Sequence, residues 1–205
     1  MRLMPIAAVA GLLAAGVTAA PPAAAQDHRH NAMEAAPPRG DSIYALSASL
    51  VDQRGRPVGL DLFRGHPVLI TMFYATCPDA CPLLIADLQR IERELPQRIK
   101  ADLRIVLVSL DPDRDTPEAL HALARARHVD ESRWGLLRAP EDTVREIAAL
   151  LGIQYRRLPD GNFNHSSVIT RLDPNGVILV RDEGIGGPHA ALLRSLQSAQ
   201  SAPSR

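Results

Sequence analysis

The sequence is poor in cysteine, in net charge and in long apolar runs, and each shortage sets aside a class of protein. Lysine plus arginine number 23 and aspartate plus glutamate number 23, so the formal net charge is +0 at pH 7. That balance gives no footing for nucleic acid or an acidic membrane surface as a partner. The one sustained apolar run, Ile6 to Ala20, is interrupted by Gly11, Gly16 and Thr18 and falls short of the roughly 20 residues of a helical membrane span. No internal repeat or long low-complexity segment follows it. Only 2 cysteines occur in 205 residues, and Cys77 and Cys81 stand too close together for a bridge between them to restrain the unfolded chain much. Redox chemistry or metal binding explains such a pair better than stapling.

What is present begins with a leader. Arg2 supplies a positive start, and Pro21-Pro22 followed by Ala23-Ala24-Ala25 reads as a small-residue cleavage pattern. A signal peptide over residues 1–25 and a mature chain from Gln26 in the periplasm are expected. The alternative is a retained N-terminal anchor in the inner membrane, facing the periplasm. The absence of cysteine near the cleavage point argues against lipoprotein attachment. Residues 26–40 carry His28, His30 and Met33 without any period, and read as a flexible lead-in. One domain is expected over 41–199, since a hydrophobic fraction of 46% suits a single globular core. A disordered tail is expected over 200–205.

Within that domain, Ser47–Val51 and Val58–Leu62 flank the turn residues Asp52-Gln53-Arg54-Gly55 and read as an N-terminal hairpin. The nearly continuous apolar run Val68–Tyr74 suits a strand covered on both faces. Leu84, Leu88, Ile91 and Leu95 then recur at helical spacing, with Pro82 in the first turn and Pro96 as a stop. Ile105–Leu110 is a second buried strand, after which Thr116 can cap a helix that Pro117 opens. A further helix fits Asp142–Leu151 with Gly152 ending it. Ile153–Arg157 and Ser167–Leu172 read as strands, and Asp173-Pro174-Asn175-Gly176 turns the chain into a last strand, Val177–Arg181. Leu192, Leu193 and Leu196 suggest a closing helix. The expected fold class is α/β, a thioredoxin-like mixed sheet flanked by helices.

Cys77-Pro78-Asp79-Ala80-Cys81 lies between a central strand and a helix, where open α/β sheets place their ligand sites. Unpaired N–H groups and the dipole at a helix start favour a thiolate. Pro82 disfavours helical geometry at Cys81, which places Cys81 at the helix boundary and Cys77 in the preceding turn. Four residues of ideal helix rise about 6 Å, so a bent loop leaves both oxidation and metal binding open. Two thiolates alone suit a disulfide exchanger, whereas a soft metal calls for a third donor. Of the 7 histidines, His66 precedes a strand, His121 and His128 fall in a charged helix and His189 lies near the last helix. His165 instead follows Asn162-Phe163-Asn164 at the entry to a core strand, where it can project from the sheet rim.

Phe73-Tyr74-Ala75-Thr76-Cys77-Pro78-Asp79-Ala80-Cys81-Pro82, Val108-Ser109-Leu110-Asp111-Pro112-Asp113-Arg114-Asp115-Thr116-Pro117 and His165-Ser166-Ser167-Val168-Ile169 followed by Asp173-Pro174-Asn175-Gly176 together resemble the Sco/SenC family of copper-binding thioredoxin-like proteins. The resemblance spans about Ser42 to Arg181. It implies one copper ion, Cu(I) or Cu(II), bound by Cys77, Cys81 and His165. It also implies work on the dinuclear copper site of cytochrome c oxidase, by handing over copper or by reducing the acceptor's cysteines. The implied partners are a copper-acceptor protein, cytochrome c oxidase subunit II, and a periplasmic copper donor or thiol reductant. Asn164 departs from the aspartate that members often carry before the histidine, which removes a charge beside the ligand.

Three functions therefore compete: a copper chaperone, a thiol-disulfide oxidoreductase using Cys77 and Cys81 as a redox pair, and a peroxidase suggested by Thr76-Cys77-Pro78. Residues Asp111 to Thr116 read either as a partner-docking loop or as a simple helix cap. Cleavage after Ala25 would also expose Gln26-Asp27-His28, whose amine, amides and imidazole can surround Cu(II) in a square plane.

Overall fold

The computed structural model describes residues 42–198. The leader, the lead-in with Gln26-Asp27-His28, and the tail lie outside the described residues. No helix among the described residues is long and apolar enough to cross a membrane.

After a 3-10 turn over Ile43–Ala45 come β1 (Leu50–Asp52) and β2 (Pro57–Val58), paired antiparallel with Leu50 facing Val58. Asp52 closes the turn, its Oδ1 accepting the N–H groups of Arg54 and Arg56, each at 2.9 Å. The second strand is shorter than the expected Val58–Leu62. Leu60–Phe63 instead wind into a 3-10 turn that buries Leu60 and Phe63. The apolar runs then behave as their composition dictates: β3 (Val68–Phe73) is buried at every position, and α1 (Ala80–Glu94) turns Leu84, Leu88 and Ile91 inward. Pro96 stops α1 and also starts a short α2 (Gln97–Asp102), which the sequence pattern does not announce. β4 (Arg104–Ser109) lies parallel to β3. α3 (Pro117–Ala126) follows, capped by the Thr116 hydroxyl, which accepts the Ala119 N–H at 3.2 Å.

β5 (Trp134–Arg138) is a further addition to the expected elements; it pairs parallel with β4 and antiparallel with β1. α4 (Glu141–Leu151) ends on Gly152 in the left-handed region. β6 (Tyr155–Arg157) and β7 (Phe163–His165) form a two-stranded ribbon of their own, so the expected strand Ile153–Arg157 does not join the main sheet. β8 (Val168–Leu172) and β9 (Ile178–Glu183) make the expected antiparallel pair, and α5 (Ala190–Ser198) packs against β9. The main sheet has 7 strands in the order β2-β1-β5-β4-β3-β8-β9. Its parallel centre carries the cysteine loop at the C-terminal end of β3.

Gly176 makes the β8–β9 turn possible. Its φ is +85°, and a Cβ there would stand 2.5 Å from Tyr44 Cδ2 and 2.6 Å from Ser42 Oγ. Left-handed backbone strain and overpacking add, so Gly176→Ala is expected to lower stability by about 2–4 kcal/mol. Urea unfolding monitored by circular dichroism measures the loss.

His189, expected to sit in an unremarkable place near the last helix, is 3% exposed. Its Nε2 lies 3.3 Å from Asp87 Oδ2 and its Nδ1 3.4 Å from Asp182 Oδ2, which ties the approach to α5 onto α1. Burial alone would push the Asp87 carboxyl up, but the Gly186 N–H, Arg90 and His189 outweigh it and hold Asp87 below the usual range. His128, placed by its sequence in a helix, falls just past α3 with φ of 52°.

Candidate functional site

Cys77 lies in the turn after β3, its N–H donating to the Tyr74 carbonyl at 3.2 Å. Cys81 is the second residue of α1. The helix start directs the Cys81 N–H at Cys77 Sγ, 3.3 Å away, and the Tyr74 N–H donates to Cys81 Sγ at 3.4 Å. Both cysteines are buried, and neither is in a disulfide.

His165 arrives from the far side of the chain at the end of β7, and its Nε2 stands 3.9 Å from Cys81 Sγ. Its Nδ1 faces the Ser166 carbonyl at 3.1 Å. A carbonyl can only accept, so Nδ1 carries the proton and the Nε2 lone pair is turned toward the cysteines. Burial moves the imidazole below its ordinary pKa, against a smaller opposing pull from Ser166, which keeps it neutral and able to ligate.

The thiols are unequal. Burial by itself would raise Cys77, but the Cys81 N–H and thiol, the Asp79 N–H and the Tyr74 hydroxyl outweigh it and bring Cys77 below the usual thiol value. Burial pushes Cys81 well up, with the Tyr74 N–H opposing and the charges of Cys77 and Asp115 adding to the rise. Of the two, Cys77 is the more readily ionised and Cys81 the one that holds its proton more tightly.

Tyr74 shapes the pocket in a way its place in an apolar run does not announce. Its ring meets Phe163 edge-on at 5.3 Å between centroids and His165 at 6.0 Å, and its hydroxyl donates to the Phe163 carbonyl at 3.4 Å. Asp115 supports the loop from below: its Oδ2 accepts from Ser109 Oγ at 2.6 Å and from the Ala75 N–H at 3.0 Å. Burial raises the Asp115 carboxyl against those donors, and its Oδ1 has no hydrogen-bond partner among the described residues. Asp111 and Asp115 are 1% and 0% exposed. Within Asp111 to Thr116, Asp111 and Asp115 face inward and Thr116 caps α3, as the helix-cap reading expects, while the Asp113 side chain is 78% exposed. Thr76 makes no hydrogen bond with Cys77 among the described residues, so the peroxidase reading gains no support from its hydroxyl.

The donor set fits a soft first-row metal: two sulfurs and an imidazole nitrogen with its lone pair inward. Bond lengths of about 2.3 Å to sulfur and 2.0 Å to nitrogen, as at zinc, put the two donors about 3.5–3.7 Å apart at tetrahedral to trigonal angles. The 3.9 Å separation of Cys81 and His165 is close to that span. Among the described residues no three His, Cys, Asp or Glu side chains are already closed around one point; the trio is gathered rather than preassembled.

The fold and the site together define a thioredoxin-like protein whose paired thiols are joined by a histidine from a distant ribbon. The sequence matches the SCO1/SenC family over residues 38–192, and the chain belongs to that family. A SCO2-like protein of Rickettsia prowazekii is 31% identical over 133 residues, 62% of this chain and 63% of that protein, so the match spans less than two thirds of the relative's own length. Arabidopsis thaliana ScoI, solved with copper bound, superposes with a TM-score of 0.64 at 20% identity, covering 76% of this chain and 97% of that one. BsSco, described as a member of the Sco family of cytochrome c oxidase assembly proteins in work identifying a disulfide switch in it, gives 0.63 at 23% identity, covering 76% and 92%.

Proposed function

We propose that this protein binds one copper ion through Cys77, Cys81 and His165 and acts in the periplasm as an assembly factor for the dinuclear copper site of cytochrome c oxidase subunit II. The observation that carries the reading is the meeting of Cys81 Sγ and His165 Nε2 at 3.9 Å beside Cys77, the more acidic of the two thiols. Membership of the SCO1/SenC family, the copper-bound Arabidopsis relative and the assembly role stated for BsSco support it. Copper is cargo here. The neutral imidazole offers its electron pair at once, Cys77 ligates as its thiolate, and Cys81 ligates when its proton leaves.

Reduction of the acceptor is the second reading, favoured by the inequality of the two thiols. Cys77 thiolate attacks one sulfur of the acceptor's disulfide and expels the other as a thiolate. Cys81 then gives up its proton to that leaving thiolate and attacks Cys77 Sγ. The acceptor leaves with both cysteines reduced, while Cys77 and Cys81 are left as a disulfide, two electrons having passed.

The test uses a soluble acceptor domain bearing the paired cysteines. Copper-loaded protein is mixed with the reduced, metal-free acceptor, and reduced copper-free protein with the oxidised acceptor. Movement of copper supports delivery, and loss of the acceptor disulfide supports reduction; either must disappear in Cys77→Ala. A protein that does neither overturns the assembly role. Export is checked by the N-terminal sequence of the chain from a periplasmic fraction, which is expected to begin at Gln26; recovery from the cytoplasm with Met1 intact contradicts it.

A further inference from the structure

His165 does not belong to the main sheet. It ends a two-stranded ribbon, and such a ribbon is marginal unless something holds it. Its base is fixed by the Gln154 N–H donating to Ser166 Oγ at 3.0 Å and the Ser166 N–H donating to the Gln154 carbonyl at 2.9 Å. Its middle leans on Tyr74 through Phe163. Its tip is held by charge. Asp111, on the loop after β4, receives Arg157 of β6 at 3.5 Å and Arg114 from its own loop, while Arg114 also donates to the Gly161 carbonyl at the ribbon's turn.

The Asp111 side chain is 1% exposed, whereas Arg114 and Arg157 are 37% and 51% exposed. A carboxylate taken out of water needs its cationic partners, so the ribbon tip is drawn onto the domain. The same loop holds the cysteine side of the site through Asp115 and the Ala75 N–H. One loop therefore grips both halves of the site.

We propose that Asp111, with Arg157 and Arg114, is the positioning residue that sets the tilt of the ribbon and so the place of His165 relative to the two cysteines. The part of this that concerns copper rests on the copper reading above. Asp111 touches no candidate ligand; it acts through the ribbon, as outer partners at metal sites commonly do.

Asp111→Asn and Arg157→Gln are compared with wild type, the second being a half-exposed change that keeps the fold should the first destabilise it. In the metal-free protein, both are expected to shift the His165 imidazole resonance and to speed amide exchange over Phe163–His165 by about tenfold relative to the β3 and β4 amides. Copper affinity should fall by about tenfold in each variant, at the low end for outer partners, and should fall no further when either is added to His165→Ala. Arg157→Lys, which keeps the charge, should recover part of the loss. If the metal-free resonance and exchange are unchanged in both variants, the positioning role is wrong, whatever copper does. If they change while wild-type copper binding proves independent of His165, the positioning stands and the copper reading falls. Equal losses with and without His165 would mark a general loss of stability and overturn the proposal.

Discussion

His165→Ala is expected to separate two activities that the cysteine pair alone would leave joined. Removing the imidazole takes away the only nitrogen donor placed against the thiols among the described residues, with its Nε2 3.9 Å from Cys81 Sγ. Copper affinity should fall by more than the about 100-fold at the upper end for an outer partner, because a ligand itself is lost. Thiol-disulfide exchange needs only Cys77 and Cys81, so the rate of reduction of a small disulfide should stay within about twofold of wild type. Competition with a copper chelator measures the first quantity and stopped-flow absorbance the second. A variant that loses both in proportion would mean that His165 serves the thiols rather than a metal.

The second large effect is an asymmetry between the thiols. Donors around Cys77 bring its pKa below the usual value, while burial and the neighbouring negative charges carry Cys81 well above it. Each unit of separation is about tenfold in thiolate fraction below both values. At pH 7 Cys77 is therefore expected to be alkylated more than about tenfold faster than Cys81, a gap widened by the 3% exposure of Cys81. The sign follows from the direction of each shift. The Cys77 rate should reach its plateau at a pH lower than a free cysteine needs, and the Cys81 rate should still be climbing in mildly alkaline buffer. Mass spectrometry of peptides after brief iodoacetamide treatment resolves the two. Equal labelling at pH 7 would contradict the assigned roles of attacking and resolving thiol.

Parts of the fold are legible in the sequence by itself. The runs Val68–Tyr74 and Ile105–Leu110 announce β3 and β4 because strands covered on both faces carry almost nothing polar. Asp173-Pro174-Asn175-Gly176 announces the β8–β9 hairpin because only glycine tolerates the φ of +85° in so crowded a place. β5 is not legible: Trp134-Gly135-Leu136-Leu137-Arg138 is short, and Gly135 is a poor strand former read alone. Its glycine is explained by a tertiary neighbour, since a Cβ there would stand 2.9 Å from Phe63 Cζ. α2 is hidden because Pro96 ends one helix and begins the next.

The site divides along the same line. Cys77 and Cys81 are conspicuous as the two cysteines of an otherwise cysteine-free chain, and His165 stands out by its place before a core strand. The ribbon that delivers His165 does not, because Tyr155-Arg156-Arg157 and Phe163-Asn164-His165 have little apolar alternation and become strands by pairing with each other. Nor can sequence say whether Asp111 faces out toward a partner or in toward Arg157. Burial decides that, and burial is a property of the whole fold.

Cys77, Cys81 and His165 are together expected to hold one copper ion. The decisive measurement is anaerobic titration of the reduced protein, with absorption spectra of the Cu(II) form recorded beside Cys77→Ala, Cys81→Ala and His165→Ala. One equivalent should bind with a sulfur-to-copper charge-transfer band that each cysteine substitution abolishes and the histidine substitution shifts and weakens. A band that survives Cys81→Ala, or a wild type that binds no copper in this way, would contradict the account.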